Sequence, residues 1–209
     1  VCSSDLNNED TGTLQYLAST AMEAGFSTRV LDMQALDLQN GRFFDPAGEL
    51  VNRCFKLYPW EWMVDESPDG CLAEMEWLEP IWKLVMSNKA ILATLYELFP
   101  DSPYVLPCYL SRPRSGLFCK KPVFSREGHN VSVVDIRDWE EYVRIAETEG
   151  DYNTGAYVYQ EYAEPTAYSG RYPVIGSWII GGEAAGIGIR ENRMEVTDNL
   201  SEFVPHIIG

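Results

Sequence analysis

The sequence predicts a mixed fold, with an α/β segment at the start and a sheet-dominated α+β second half. Two observations predict it: a helix pattern followed by a strand pattern near the N-terminus, and a long run of strand patterns from Tyr104 onward. The chain has 209 residues, of which 45% are hydrophobic and 12% aromatic. That supply is enough for one sizeable hydrophobic core or for two small ones.

The first element is a predicted amphipathic helix. Its apolar residues recur on one helical face and are Leu14, Leu17, Ala18 and Ala21. Asp10 or Thr11 is placed to cap this helix, and Gly25 is placed to end it. The segment "STRVLDM", residues 27–33, then predicts a buried strand. This helix-then-strand order is typical of an α/β unit.

The next segment alternates turn signals with short strand patterns. The turn signals are Asn40-Gly41 and the run from Asp45 to Gly48. Because Asn-Gly and Asp-Pro runs between apolar stretches favour tight reversals of the chain, this segment predicts a β-hairpin.

Two helical pieces are predicted in "EPIWKLVMSNKAILATLYELFP". They are broken at Ser87-Asn88, where either side chain can cap the second piece. Lys89 is therefore expected in the first turn of a helix.

The second half contains six strand patterns and one helix pattern. The strands are "YVLPCYL", "GLFCKKPVF", "VSVVDI", "AYVYQEY", "YPVIGSWII" and "AAGIGIRE". The helix is predicted near "DWEEYVRIAETEG", residues 138–150. No internal repeat or low-complexity stretch interrupts this order.

The charge balance excludes some function classes. Sixteen basic and 32 acidic residues give a formal net charge of -16, which argues against a nucleic-acid partner, since such a partner needs a basic surface. An acidic surface suits a cationic substrate, but it is equally typical of a well-solvated protein. No apolar run reaches the length of a membrane span, and no secretory signal is visible, so we expect a cytoplasmic protein with no membrane partner.

The cysteines do not suggest a metal or redox site. Five cysteines lie far apart without a C-x-x-C pair, so we expect reduced and mostly buried thiols. The two histidines, His129 and His206, have no spacing to Asp, Glu or Cys that would suggest a metal site or a hydrolytic triad.

The first six residues, "VCSSDL", match what the end of a common sequencing adapter encodes when it is translated. We expect residues 1–6 to be non-native and the natural chain to continue upstream of Asn7.

The stretch "CKKPVFSREGHN" is the first candidate for binding an anion. Lys121 ends a strand pattern, and Gly128 follows in a loop of small and polar residues. A lysine fixed by a strand supplies positive charge, and a glycine lets backbone N–H groups approach phosphate oxygens. The stretch is not a Walker loop, and a structural hairpin explains it equally well.

Lys89 is the second candidate. A lysine in the first turn of a helix opposes the helix dipole, and a bound anion would explain its presence. A solvated lysine at a helix start is the alternative.

The strand "AYVYQEYAEP" ends in three polar residues, Gln160, Glu161 and Tyr162. Backbone groups at a strand end, with a side-chain oxygen that accepts from the adenine amino group, could read adenine in an apolar pocket. The alternative is an edge strand with an exposed polar tip.

Arg190 ends the pattern "AAGIGIRE", in which Gly186 and Gly188 leave room for a ligand or for another backbone. A fixed guanidinium at this position suits a phosphate group. A surface ion pair with Glu191 or Glu195 is the alternative.

Seven blocks of the sequence follow one another in a fixed order: "NEDTGTLQYLA", "LVNRCFKLYPWEWM", "LEPIWKLVMSNKAILATLYELFP", "KKPVFSREGHNV", "VYQEYAEP", "GSWIIGGEAAGIGIRE" and "TDNLSEFVPH". Together they resemble the C-terminal half of the glutathionylspermidine synthase family, and more closely its single-domain bacterial relatives, the acid–amine ligases. The resemblance covers nearly all of the chain from Asn7 onward. It implies an ATP-grasp-like nucleotide-binding core at 86–209, preceded by an α/β segment at 7–85.

The resemblance also implies roles for individual residues. Arg190 matches an arginine near the transferred phosphoryl group, and Glu9 lies where the family contacts its carboxylate substrate. The positions that match nucleotide contacts are Lys89, Lys121, Gly128, Gln160, Glu161, Tyr162, Glu195, Val196 and Thr197, the last three of them on a further strand.

The activity implied is an ATP-dependent ligase that phosphorylates a carboxylate and lets an amine displace phosphate from the acyl-phosphate. Its substrates would be small carboxylates and amines of the glutathione and polyamine type. The family's Mg²⁺ ligands fall upstream of Asn7, so we expect the 209-residue chain to release no ADP by itself. The alternative is a nucleotide-binding module of the same fold without catalysis.

Overall fold

The computed structural model describes residues 2–3, 8–138, 141–152, 155–196 and 201–207. The chain divides into two compact units, Val1–Met86 and Ser87–Gly209. Each unit combines helices with antiparallel or parallel strand pairs. The mixed architecture predicted from the sequence is therefore confirmed at the level of fold class.

The first unit consists of short elements. They are β1 (Cys2–Ser3), α1 (Asn8–Glu23), β2 (Leu31–Asp32), β3 (Asp37–Gln39), β4 (Arg42–Phe44), β5 (Leu50–Val51), β6 (Arg53–Phe55), α2 (Trp60–Glu66), α3 (Pro68–Cys71), β7 (Glu76–Leu78) and α4 (Leu84–Ser87). β1 pairs with β2 and β6 pairs with β7, both in parallel. β3, β4 and β5 form an antiparallel sheet.

Aromatic side chains form the core of the first unit. Trp77 packs edge-on against Phe43 and against Trp60, with ring centroids 5.7 Å and 5.4 Å apart. Cys54 and Met63 complete this buried cluster together with Tyr58. Edge-to-face pairs of this kind add to the hydrophobic stabilisation that burial of the rings provides.

The predicted hairpin is confirmed. Asn40 and Gly41 connect β3 to β4 with φ angles of +49° and +76°, the left-handed pair that a tight two-residue hairpin turn requires. The second turn is closed by Asp45, whose side chain accepts hydrogen bonds from the amides of Ala47 and Glu49, each at 2.9 Å. Both turn signals thus act through the mechanisms that their residue types suggest.

The buried strand predicted for residues 27–33 is wrong. Only Leu31–Asp32 forms a strand, and the segment before it is irregular and partly exposed. Arg29 holds this segment to the hairpin through ion pairs with Asp45 and Glu49. Side-chain contacts therefore replace the backbone ladder that an apolar strand would make.

The start of α1 also differs from the prediction. The helix begins at Asn8, so Asp10 and Thr11 lie within it and do not cap it. Leu14 and Ala18 are buried as expected, and Gly25 ends the helix with a φ of +90°.

The second unit contains α5 and eight strands among its described residues. These are α5 (Ala90–Leu98), β8 (Cys108–Tyr109), β9 (Gly116–Pro122), β10 (Ser132–Ile136), β11 (Tyr142–Glu147), β12 (Tyr157–Glu161), β13 (Tyr172–Ile180), β14 (Glu183–Asn192) and β15 (Glu202–Val204). A five-stranded sheet has the order β11-β10-β9-β12-β8, and a second sheet has the order β13-β14-β15. All described pairings in both sheets are antiparallel.

The helix predicted near residues 138–150 is wrong, because β11 occupies part of that segment. β11 pairs along β10, with Tyr142 opposite Ile136 and Val143 opposite Asp135. Tyr, Val and Ile favour strands when a neighbouring strand offers a free edge, and tertiary pairing overrides the helical spacing of the charged residues.

Two expectations, one about membrane-spanning segments and one about cysteines, concern the described residues. In the part of the chain that the structure describes, no helix has the length and apolar character needed to span a membrane. Cys54, Cys71, Cys108 and Cys119 are free thiols, of which Cys54 and Cys108 are buried.

Candidate functional site

The two central strands of the five-stranded sheet bring a lysine and a glutamine together. β9 and β12 are antiparallel neighbours, with Lys121 opposite Val158 and Gln160 opposite Cys119. The Lys121 Nζ donates a hydrogen bond of 2.7 Å to the Gln160 Oε1. Because side chains alternate between the faces of a sheet, both residues lie on one face, which we call the front face. Lys121, which was predicted to contact phosphate, is thus in direct contact with Gln160, which was predicted to contact adenine.

Lys89 lies at the start of α5, as predicted. The break between the helical pieces falls at Ser87-Asn88, and the Asn88 Oδ1 accepts from the amide of Ala90 at 2.9 Å. The Lys89 amide donates to the carbonyl of Val123, two residues after Lys121, at 2.8 Å. The start of α5 is therefore attached to the chain that leaves β9.

The Lys89 side chain reaches into the loop between β9 and β10. Its Nζ donates to the carbonyl oxygen of Ser125 at 2.6 Å and to the Ser125 hydroxyl at 2.9 Å. Ser125 was not singled out in the sequence, and its only signal is a hydroxyl in the loop that follows Lys121. Lys89 therefore contacts the segment that directly follows Lys121.

Gly128 lies in the same loop, which is held at its far end by Thr148. Gly128 has a φ of +73°, and its neighbour Glu127 is also left-handed at +57°. The Thr148 hydroxyl donates to the Gly128 carbonyl and accepts from the Val131 amide. Lys89 and Thr148 thus fix the two ends of the loop, and no pattern in the sequence indicated the role of Thr148.

Gln160, Glu161 and Tyr162 end a central strand. β12 lies between β9 and β8, so the alternative of an exposed edge strand is wrong. The amide of Glu161 donates to the Pro107 carbonyl at 2.8 Å, and the amide of Tyr162 donates to the Leu117 carbonyl at 3.0 Å. Both backbone donors of the hinge are therefore already used within the protein.

Tyr162 connects this strand to the chain after β14. Its hydroxyl donates to the Glu195 Oε2 at 2.5 Å. Burial raises the pKa of Tyr162, and the hydrogen bond to the Glu195 carboxylate raises it further. Burial also raises the pKa of the Cys119 thiol, against the opposing charge of Lys121. The front face is therefore partly desolvated, with one ammonium and one carboxylate beside it.

A strand was expected at Glu195–Thr197, and this prediction is wrong for Glu195 and Val196. β14 ends at Asn192, and Glu195 and Val196 lie in an irregular bend after it. The Asn192 amide group donates to the Val196 carbonyl at 3.4 Å and so fixes this bend by a side chain. Thr197 lies outside the described residues.

Arg190 lies on the other sheet, beside a groove. Its guanidinium carbon is 5.8 Å from the centroid of the Phe203 ring, and the groove has a volume of about 350 Å³. Trp178 and Gly188 also line it. Among the described residues, Arg190 has no ion pair with Glu191 or Glu195.

Glu9 and the metal site remain predictions. Glu9 is in α1, in the first unit, and its side chain is not described. Among the described residues, no three His, Cys, Asp or Glu side chains come together where they could hold a metal ion.

Comparison with known proteins gives the family of the chain. The model of the family described as "Glutathionylspermidine synthase preATP-grasp" matches residues 1–209. The chain belongs to this family. The resemblance stated from the seven sequence blocks is confirmed.

Three proteins whose names include ligase or synthetase are similar to the chain. An acid–amine ligase of Haemophilus influenzae is 36% identical over 97% of the chain and 54% of its own length. The bifunctional glutathionylspermidine synthetase/amidase of Escherichia coli is 26% identical over 98% of the chain and 37% of its own length. A trypanothione synthetase of Crithidia fasciculata is 35% identical over 61% of the chain and 19% of its own length. The chain thus spans about half, or less, of the relatives that it matches.

Proposed function

We propose that the second unit binds ATP on its front face and that the whole protein is an ATP-dependent carboxylate–amine ligase. The observation that carries the proposal is the contact of Lys89 with Val123 and Ser125, just after Lys121, together with the contact of Lys121 with Gln160. Ammonium groups held in this way can neutralise phosphate oxygens of a nucleotide. The relatives' names, ligase and synthetase, support the same reaction class.

The residues fit a nucleotide. Each lysine ammonium has three N–H donors, so Lys89 and Lys121 can keep part of their present hydrogen bonding and still donate to phosphate. Gly128 has a φ of +73°, and the lack of a β-carbon at this position allows a phosphate group to approach the loop backbone closely. The proposed order on the front face is adenine toward Gln160–Tyr162 and phosphates toward Lys121 and Lys89.

The proposed reaction joins an acid to an amine. The terminal phosphoryl group of ATP passes to the carboxylate oxygen, ADP leaves, and the amine nitrogen then attacks the acyl carbon and expels inorganic phosphate. The acyl-phosphate is open to attack by water, and the loop at 123–130 is proposed to exclude water from it. Arg190 is proposed to stabilise the charge on the transferred group. The acid and amine are proposed to be of the glutathione and polyamine type, after the names of the relatives.

Calorimetric titration with ATP tests the binding step. We expect Lys121→Met to weaken ATP binding about tenfold or more, since a hydrogen bond to a charged group contributes about 1.5–3 kcal/mol. Lys120→Met is the matched control, because Lys120 is the neighbouring lysine on the other face of the same strand. Equal losses in both variants, or no ATP binding by the unmodified chain, would contradict the proposal.

Measurement of ADP release separates the ligase from a non-catalytic nucleotide-binding module. We expect a protein that includes the upstream part of the relatives to release ADP only when carboxylate, amine and Mg²⁺ are all present. The prediction for the 209-residue chain alone is ATP binding without ADP release. ADP formation by that chain would overturn this prediction and would place every essential group within it.

A further inference from the structure

The opposite face of the five-stranded sheet, which we call the back face, contains a second cluster of cations. Lys120 and Tyr159 are register partners on β9 and β12, and they precede Lys121 and Gln160 in the chain. Because neighbouring residues of a strand point to opposite faces, these two side chains lie on the back face. They line a cavity of about 90 Å³, which we call the back-face cavity, together with Arg112, Val134, Ile136 and Tyr142.

Among the residues that the structure describes, no carboxylate balances the positive charges at the back-face cavity. The Lys120 Nζ lies 4.0 Å from the centroid of the Tyr157 ring, and the Arg112 guanidinium carbon lies 4.9 Å from that of Tyr142. Neither cation has an ion pair among the described residues, and no acidic residue lines the cavity there.

Arg112 also has an unused donor. Its Nη2 donates to the Asp138 carbonyl at 3.0 Å, whereas its Nε is buried and has no hydrogen-bond partner within the described part of the chain. Burial raises the pKa of Tyr159, and the positive charge of Arg112 lowers it. Both side chains line the cavity. A buried donor without a partner is costly, and an acceptor in the cavity would remove that cost.

We propose that the back-face cavity binds a small oxyanion of the size of inorganic phosphate, through the Arg112 guanidinium and the Lys120 ammonium. Its volume of about 90 Å³ leaves room for a group of the size of a phosphate or a carboxylate. The guanidinium supplies paired N–H donors and the lysine a point charge, which is a combination suited to tetrahedral or planar oxyanions. Val134 and Ile136, both buried, form the apolar floor.

Titration with inorganic phosphate against the 209-residue chain, at constant ionic strength in sodium chloride, tests the proposal. We expect Lys120→Met and Arg112→Gln each to weaken phosphate binding about tenfold or more. Lys120→Arg keeps the charge, so we expect it to bind phosphate within a few-fold of the unmodified chain. That result would show that the weaker binding of Lys120→Met is not due to unfolding. Lys83→Met, which removes a lysine of the first unit, controls for the change in net charge.

Lys121→Met distinguishes the two faces. We expect it to leave phosphate binding in place while it weakens ATP binding, so that the back-face cavity and the proposed nucleotide site fail independently. The proposal is overturned if Lys121→Met abolishes phosphate binding while Lys120→Met does not, because phosphate then occupies the front face. It is also overturned if the unmodified chain binds no phosphate in this titration.

Discussion

Hydrogen bonds to neutral partners hold the two proposed nucleotide-binding lysines. Lys121 donates to a carboxamide oxygen, and Lys89 donates to a carbonyl and a hydroxyl. A neutral acceptor orients an ammonium group without cancelling its charge. A carboxylate would orient the group and also cancel its charge. The contrast with Arg29, which pairs with Asp45 and Glu49, is informative. That cation serves the fold of the first unit, while Lys121 is proposed to keep its charge for a ligand.

Tyr58 provides a pH-dependent test of the first unit. Burial, and a hydrogen bond from its hydroxyl to the Glu66 carboxylate, raise the pKa of Tyr58 to about 12. The unfolded chain loses this proton near pH of about 10. Because the folded protein keeps the proton longer, the stabilisation is complete below about pH 10 and is lost as the pH rises to about 12.

We therefore expect the free energy of unfolding in urea to fall between about pH 10 and about pH 12, and to fall less steeply in Tyr58→Phe. The difference between the two proteins isolates Tyr58 from the other tyrosines, which titrate in both. Parallel curves for the two proteins would show that Tyr58 is not protected.

At the scale of elements, the loop between β9 and β10 depends on one threonine. Thr148→Val removes the hydroxyl that contacts the Gly128 carbonyl and the buried Val131 amide. The loss of such hydrogen bonds costs about 1 kcal/mol. We expect amide hydrogen exchange of residues 125–131 to become about fivefold faster or more, and Thr148→Ser to behave like the unmodified chain. Unchanged exchange in Thr148→Val would mean that other contacts hold the loop.

The β3–β4 hairpin depends on its turn glycine. Gly41 has a φ of +76°, and a β-carbon there would meet no atom within 4 Å, so substitution acts through the backbone alone. We expect Gly41→Ala to lower the free energy of unfolding by about 1 kcal/mol or more. Gly12→Ala, in the middle of α1 and equally free of close atoms, should instead raise it by up to about 1 kcal/mol. A urea titration of both variants checks the opposite signs.

The outcome for individual elements shows what the sequence could predict. Turn residues act locally, so Asn40-Gly41 and Ser87-Asn88 predicted a hairpin and a helix break correctly. β11 was mistaken for a helix because its state depends on the free edge of β10, which no local pattern records. The candidate site was likewise predicted only in part. Its residue types suggested nucleotide binding, but the contact between Lys121 and Gln160 joins residues 39 positions apart and depends on strand register.

The whole molecule combines two separate cores with a strongly acidic surface. An aromatic cluster around Trp77 stabilises the first unit, and a cluster of Phe118, Val134 and Ile136 lies in the second. Acidic residues outnumber basic ones by two to one, 32 against 16. The described ion pairs are mostly exposed and contribute little each. Repulsion among the remaining carboxylates is therefore the larger electrostatic effect on folding.

This balance predicts how salt changes stability. Raising sodium chloride from about 0.01 M to about 0.15 M shortens the screening length from about 30 Å to about 8 Å. The net charge of -16 is more crowded in the folded protein than in the unfolded chain, so screening favours the folded state. Exposed ion pairs weaken at the same time, but each is worth at most about 1 kcal/mol. We expect the urea midpoint of unfolding to rise over this range, and a similar rise in potassium chloride as the control. A midpoint that falls in both salts would mean that the ion pairs, such as Arg53 with Glu76, outweigh the repulsion.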